Sequence, residues 1–296
     1  MTNSKVILIT GTSTGFGRLA ALKLAGLGHR VYATMRGVQG RNAEAAQSLS
    51  QANPGMRVLE IDVTDPETIE RAVAQVIDTE GKIDVLINNA GIMNIGLTEA
   101  FSHDQLHRQM DVNYFGVARM FKAVLPHMRE RREGLIITVT SVAARLIFPG
   151  LVSYCSSKFA VEALAEGYRY ELSRSGIDSV IIQPGPFKTE IIGNKLLPED
   201  QVVLDGYGEL ASMPEQVLQG FSDFMEENKD GDCDPKLVVD DIVHLVDLPF
   251  GARPLRTVSG LDYGTRDLNQ VYASAQRNVL DSMEMTHLDP NSQTVA

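Results

Sequence analysis

Val6-Ile7-Leu8-Ile9-Thr10-Gly11-Thr12-Ser13-Thr14-Gly15-Phe16-Gly17 is the stretch whose reading decides the fold. Its first five residues are a short β-rich apolar run, and the pattern from Leu19 to Leu27 is helical. The glycines therefore sit in a turn between a strand and the N-terminus of a helix. Backbone N–H groups converge at such a turn, and the helix dipole favours an anion there. Gly11 allows the tight turn, while Gly15 and Gly17 let a ligand backbone and the helix come close. The spacing is Gly-x-x-x-Gly-x-Gly, which differs from the commoner Gly-x-Gly-x-x-Gly fingerprint. A helix-capping loop could use the same residues, so the neighbouring segments have to decide.

Working outward, His29 to Arg36 reads as a second strand. In dinucleotide-binding sheets an acid near the end of this strand holds a ribose hydroxyl, whereas an arginine accommodates a 2′-phosphate. Met35 and Arg36 stand where the acid would be, and Arg41 follows. That points to NADP rather than NAD. Arg57 to Val63 is a third strand with Asp62 at its carboxyl end, placed either to reach an adenine amino group or to cap the turn before Pro66. Ile83 to Ile87 is a fourth strand that ends in Asn88-Asn89-Ala90-Gly91, small and amide-bearing residues suited to a close backbone approach or to an ordinary turn. A helical pattern runs from His103 to Arg132 and carries Pro126, which should bend it, and Asn113, which is unfavourable inside a helix. His103 and His107 lie four apart but have no third ligand beside them, and they read as solvated.

Leu135 to Thr140 is a fifth strand with Ser141 at its tip, and Ile177 to Gln183 is a sixth, closed by Pro184-Gly185-Pro186-Phe187-Lys188-Thr189. Repeated strand and helix signals argue for an α/β chain with a doubly wound parallel sheet. Glu190 to Asp234 breaks the rhythm, as a lid over a functional edge or a surface excursion would. Asp230-Gly231-Asp232-Cys233-Asp234 lacks the ligand spacing of a calcium loop. Pro235 to Leu248 reads as the last helix, Leu255 to Val258 as a seventh, edge strand, and the residues after Asn278 as a poorly ordered polar tail. One domain over residues 1–280, with a lid at about 190–235 and a flexible tail at 281–296, is the expected organisation.

Between the fifth and sixth strands lies Ser153-Tyr154-Cys155-Ser156-Ser157-Lys158, at the start of an amphipathic helical run. Residues four apart share a helix face, which would set the Lys158 ammonium beside the Tyr154 phenol. A cation at about 4 Å and an effective dielectric of about 20 would favour phenolate by up to ~4 kcal/mol, about three pKa units, bringing the phenol near neutrality. Such a tyrosine can pass a proton to or from an alcohol oxygen. Alternatively, Tyr154 packs and Lys158 is solvated. Ser141 could be brought back over the same sheet edge to bond a substrate oxygen beside the phenol.

The 296 residues are enough to bury a sizeable core, and a net charge of −11 disfavours a binder of phosphate backbones. Cys155 and Cys233 make neither a disulfide framework nor a cysteine-rich zinc site, so a cytoplasmic setting is expected. The N-terminus does not read as a signal peptide, and no apolar stretch is long enough to span a bilayer.

In this order and spacing, Thr10-Gly11-Thr12-Ser13-Thr14-Gly15-Phe16-Gly17, Asn88-Asn89-Ala90-Gly91, Asn113, Ser141, Tyr154-x-x-x-Lys158 and Pro184-Gly185 resemble the classical short-chain dehydrogenase/reductase family over about the first 190 residues. Val31 to Arg36 and the helix Asp111 to Met128 look most like the branch of the 17β-hydroxysteroid and retinol dehydrogenases. The resemblance implies a single Rossmann-like domain and hydride transfer between an alcohol and its ketone or aldehyde. It makes Tyr154 the general acid/base and Ser141 the group that polarises the carbonyl. Lys158 would lower the phenol pKa and grip the nicotinamide ribose, and Asn113 would anchor a relay water. It places the NADP cofactor against Gly11, Ser13, Thr14, Gly15, Phe16, Gly17, Arg36, Asp62, Val63, Asn89, Ala90, Gly91, Pro184, Gly185, Phe187 and Thr189, together with Tyr154 and Lys158. It also implies a homodimer or homotetramer through the helices of Asn113 and Tyr154. Met93, Ile95, Phe148, Leu151, Phe187 and Leu196 would line a mostly apolar substrate pocket. A non-catalytic NADP(H)-sensing protein on the same fold is the alternative, although a sensor needs no proton donor. A sugar-nucleotide epimerase fits poorly, because its glycine loop is spaced differently.

Overall fold

In the computed structural model, which describes residues 4–289, seven parallel strands form one sheet in the order β3-β2-β1-β4-β5-β6-β7. The strands are β1 (Val6–Thr10), β2 (Arg30–Met35), β3 (Met56–Glu60), β4 (Val85–Asn88), β5 (Gly134–Val139), β6 (Ile177–Pro184) and β7 (Arg256–Ser259). β1, β4 and β6 are buried along their whole length, as a parallel sheet covered on both faces requires.

Alternation along the strands divides the core in two. Ile7 and Ile9 face a cluster with Leu24, Leu49, Ile242 and Leu245, from α1 (Gly15–Gly26), α2 (Ala43–Ala52) and α10 (Lys236–Asp247). Val6 and Leu8 face the opposite cluster with Val73, Val76, Phe121, Val124 and Val161, from α3 (Pro66–Glu80), α5 (Gly116–Arg131) and α6 (Val152–Glu171). Strand order reverses between β1 and β4, so the glycine-rich turn after β1 and Asn88–Gly91 after β4 open on one crevice at the carboxyl edge, where such sheets bind ligands.

The pattern read as one helix from His103 to Arg132 is three pieces. α4 (His103–Met110) begins on a Ser102 capping box, a π-helical turn covers Asp111–Phe115, and α5 continues to Arg131. The wide turn is how Asn113 is accommodated. After β6 the chain forms α7 (Glu190–Gly193), α8 (Gln201–Gly206) and α9 (Met213–Glu227) beside the same sheet edge. Leu196 is laced to the loop after β4, with Leu196 N–H donating to Met93 O and Ile95 N–H to Leu196 O. α10 is not the last helix: α11 (Thr265–Ser282) follows β7 and buries Leu280, so the chain remains helical past Asn278. The expected tail beyond residue 289 lies outside the described residues. Among the described residues no helix is long and apolar enough to cross a membrane.

Candidate active site

Tyr154 and Lys158 lie one turn apart on the buried face of α6, each 6% exposed. Tyr154 packs with Ile95, Ala143, Leu151 and Cys155. Ser141 follows β5 as the cap of a single 3-10 turn, its Oγ accepting the Ala143 N–H at 3.0 Å, and it also hydrogen-bonds the Tyr154 phenol. Ser141, Tyr154 and Lys158 therefore converge as the sequence anticipates.

Their electrostatics do not. Burial pushes the Tyr154 pKa well above its ordinary value, and the Ser141 hydrogen bond only partly opposes this. The Lys158 ammonium stands 5.7 Å from the phenol ring centroid and donates to Val139 O at 3.1 Å. Burial lowers its own pKa to about 8, and Glu162 opposes that shift. The phenol that the Tyr-x-x-x-Lys spacing would bring near neutrality is instead held protonated here, because burial raises its pKa. With these side chains alone, Tyr154 is a neutral proton donor at neutral pH and Lys158 is charged.

Asn113 does not face the crevice. It is 2% exposed; its Oδ1 accepts from Ile92 N–H at 2.9 Å, while Nδ2 donates to Ile92 O and to Ser157 Oγ, each at 3.0 Å. It pins the π turn to the loop after β4 and to α6.

The crevice is a continuous cavity of about 450 Å³. Every expected cofactor contact lines it except Gly17. A Cβ on Gly17 would stand 2.4 Å from Asn89 Nδ2 and from Gly11 O, so this glycine serves the packing of α1 against the loops. Asn89 lines the crevice, yet its amide holds the glycine turn, donating to Thr10 O and Gly11 O at 2.9 Å each. Asp62 caps its turn and also stands on the cavity wall, its Oδ1 accepting from Thr64 N–H at 3.0 Å and from Thr64 Oγ1 at 2.7 Å. Thr14 makes no side-chain capping bond at the start of α1, which leaves the first N–H groups of that helix free for an anion.

At one end of the cavity stand three guanidiniums, those of Arg36, Arg41 and Arg108. Burial, with repulsion from Arg41 and Arg108, lowers the Arg36 pKa against the attraction of Asp62. Arg108, on α4, was not singled out from sequence. No local pattern marks it, because only the fold brings α4 over the end of β2.

At the other end Met93, Ile95, Phe148, Leu151, Phe187 and Leu196 line the wall as expected. Leu218, Phe221 and Met225 of α9 and Tyr263 complete it, and the sequence reading missed these. Phe148 meets Phe221 and Tyr263 edge-on, with ring centroids 5.5 and 5.7 Å apart. Tyr263 holds φ at 49°, the left-handed region that a bulky residue rarely occupies. Among the described residues no cluster of three or more histidine, cysteine or acidic side chains could hold a metal ion.

The family model for short chain dehydrogenases matches residues 5–199. The chain belongs to the short-chain dehydrogenase family. It is 35% identical over 232 residues to a 3-ketodihydrosphingosine reductase of Bacteroides thetaiotaomicron, covering 78% of this chain and 80% of that protein. It is 38% identical over 205 residues to human 17-beta-hydroxysteroid dehydrogenase type 1, covering 68% of this chain and 62% of that one, in keeping with a place near that branch. Among solved structures, a single-residue variant of the actinorhodin polyketide ketoreductase with NADPH superposes with a TM-score of 0.72 at 26% identity, over 88% of this chain and 97% of that chain. As a family member the chain is an oxidoreductase, and NADP(H)-bound neighbours support a nicotinamide cofactor.

Proposed function

We propose that this chain is an NADP(H)-dependent oxidoreductase interconverting an alcohol and its ketone or aldehyde by hydride transfer, on a lipophilic substrate. One observation carries the reading: a single cavity joins three guanidiniums to an apolar chamber at whose inner wall Ser141 and Tyr154 meet. The residues fit the cofactor. The uncapped N-terminus of α1 suits a pyrophosphate, and Arg36, Arg41 and Arg108 suit a 2′-phosphate.

When bound, a nicotinamide supplies or accepts the hydride. The chain supplies the rest. Ser141 Oγ holds the substrate oxygen beside the phenol. Neutral Tyr154 donates the proton to a carbonyl oxygen, and in the reverse direction takes one from an alcohol. Charged Lys158 favours the phenolate that forms as the proton leaves. The apolar walls exclude water, and residues 190–227 act as a lid, with Leu196 held to Met93 and Ile95. Two relatives named for a sphingosine ketone and for a hydroxysteroid support a lipophilic substrate.

On this reading residues up to about 280 act as one domain in the cytoplasm. Exposed Phe115, Val152 and Phe159 offer the helix faces for a homodimer or homotetramer. The test follows NADPH absorbance across a panel of lipophilic ketones and aldehydes, with NADH alongside. Consumption of NADPH in preference to NADH is expected. No consumption with any carbonyl would overturn the reading.

A further inference from the structure

Beneath the reacting end lies a buried charge cluster that the mechanism above does not use. Glu162, 2% exposed, follows Lys158 by one turn of α6. Its Oε2 accepts from Thr140 Oγ1 at 2.8 Å, on the residue preceding Ser141. Its Oε1 accepts from Gln183 Nε2 at 2.8 Å and from Arg256 Nε at 2.7 Å, with Arg145 at 3.3 Å. α11 closes the far side. Asn269 accepts from Arg145 Nε at 3.1 Å and donates to Gln183 Oε1 at 2.6 Å, and the Tyr272 ring lies 4.3 Å from the Arg145 guanidinium carbon.

Burying a carboxylate costs several kcal/mol unless it is well paired, and every oxygen of this one is held. An apolar cluster would dock α11 at less cost, so the charge itself calls for a use. The ammonium of Lys158 is desolvated, and it donates to a neutral carbonyl.

We propose that Glu162 is a positioning residue for the reaction: its carboxylate, fixed by Thr140, Gln183, Arg145 and Arg256, is the countercharge that keeps the buried Lys158 protonated at working pH. This rests on the oxidoreductase reading above. Of the charged and titratable groups on the elements around Lys158, Tyr154, Cys155, Glu162 and Glu166 lie within about two turns of it on its own helix, with Tyr168, Arg169, Tyr170 and Glu171 further along; Arg145 follows β5, Arg256 is on β7 and Tyr272 on α11. Ser141 and Asn113 contribute neutral dipoles. Burial lowers the Lys158 pKa to about 8, and Glu162 raises it against that trend. The ammonium is therefore present below about pH 8 and lost as pH rises through that value.

The experiment records the pH dependence of carbonyl reduction, as kcat/KM, and separately of NADPH affinity by fluorescence, in the wild type, Glu162→Gln and Glu162→Asp. A falling limb near pH 8 is expected in the wild type for both readouts. Glu162→Gln should move that limb to lower pH by about one unit. Glu162→Asp, which disturbs the packing but keeps the charge, should leave the limb near its wild-type position. The single variant Arg256→Gln, which removes the competing cation and keeps the carboxylate, should move the limb to higher pH, so it tests the same countercharge where Glu162→Gln does not fold. An unmoved limb in both Glu162→Gln and Arg256→Gln, or equal movement in Glu162→Asp, would overturn the proposal. A wild type that binds NADPH without reducing any carbonyl would sink the oxidoreductase reading instead, while the binding limb still tests Glu162.

Discussion

The two ends of the crevice are built on opposite principles. At the reacting end Ser141, Tyr154 and Lys158 are nearly solvent-free and braced by backbone carbonyls, the π turn and the cluster around Glu162. At the far end Arg36 is half-buried and Arg41 and Arg108 are exposed, the first two on the loop between β2 and α2 and the third on α4. On the proposed reading, burial governs the chemistry at the first, because it sets which proton is held and which is given. On the same reading, open, mutually repelling charge does the recognition at the second, because like charges brought together are relieved by an anion. The difference then predicts that the reaction and the choice of cofactor can be altered separately.

The largest effect should come from Tyr154→Phe, which removes the proton donor and little else. A fall of about 10²–10⁴ in kcat/KM is expected, with NADPH affinity unchanged by fluorescence titration. Retained turnover would break the contrast at its reacting end. Next, Arg36→Asp should lower the NADPH-to-NADH ratio of kcat/KM by roughly ten- to a hundredfold, since a charge-assisted contact contributes about 1.5–3 kcal/mol. An unchanged ratio would show that recognition is not electrostatic at that end. Arg108→Ala should shift the ratio in the same direction by less, the guanidinium being exposed.

The smallest effect is one of packing between the two ends. Gly17→Ala must push its Cβ against Gly11 O and the Asn89 amide, each 2.4 Å away, at a cost of about 1–3 kcal/mol. A thermal melt should drop by several degrees, with both kinetic contrasts intact.

Legibility differed along the same axis. The seven strands, the glycine turn and the convergence of Ser141 with Tyr154 followed from short apolar β-rich runs bounded by turn residues and from a loop that brings the next helix back over the same sheet edge. Burial did not follow. From spacing alone the phenol reads as near neutral, whereas in the fold the Lys158 ammonium gives one bond to Val139 O and burial holds the phenol protonated. Asn113 signalled a disturbance in its helix, but sequence could not say that the answer was a π turn bracing Ile92 and Ser157. Arg108, Tyr263 and Glu162 are each ordinary in their local pattern and acquire meaning through contacts with distant segments. α11 is not legible as a helix because its polar residues outnumber its apolar ones, and the expected tail begins inside its last turn, although Asn269 and Tyr272 anchor the helix to the cluster behind the site.

The state of the Tyr154 phenol decides most between a donor made by burial and a base made by a neighbouring cation. An ultraviolet difference titration of the wild-type protein against Tyr154→Phe, from about pH 6 to 9, reads it directly. No phenolate absorbance from position 154 is expected anywhere in that range. A phenolate appearing near neutral pH would contradict the neutral donor and restore the cation-driven reading.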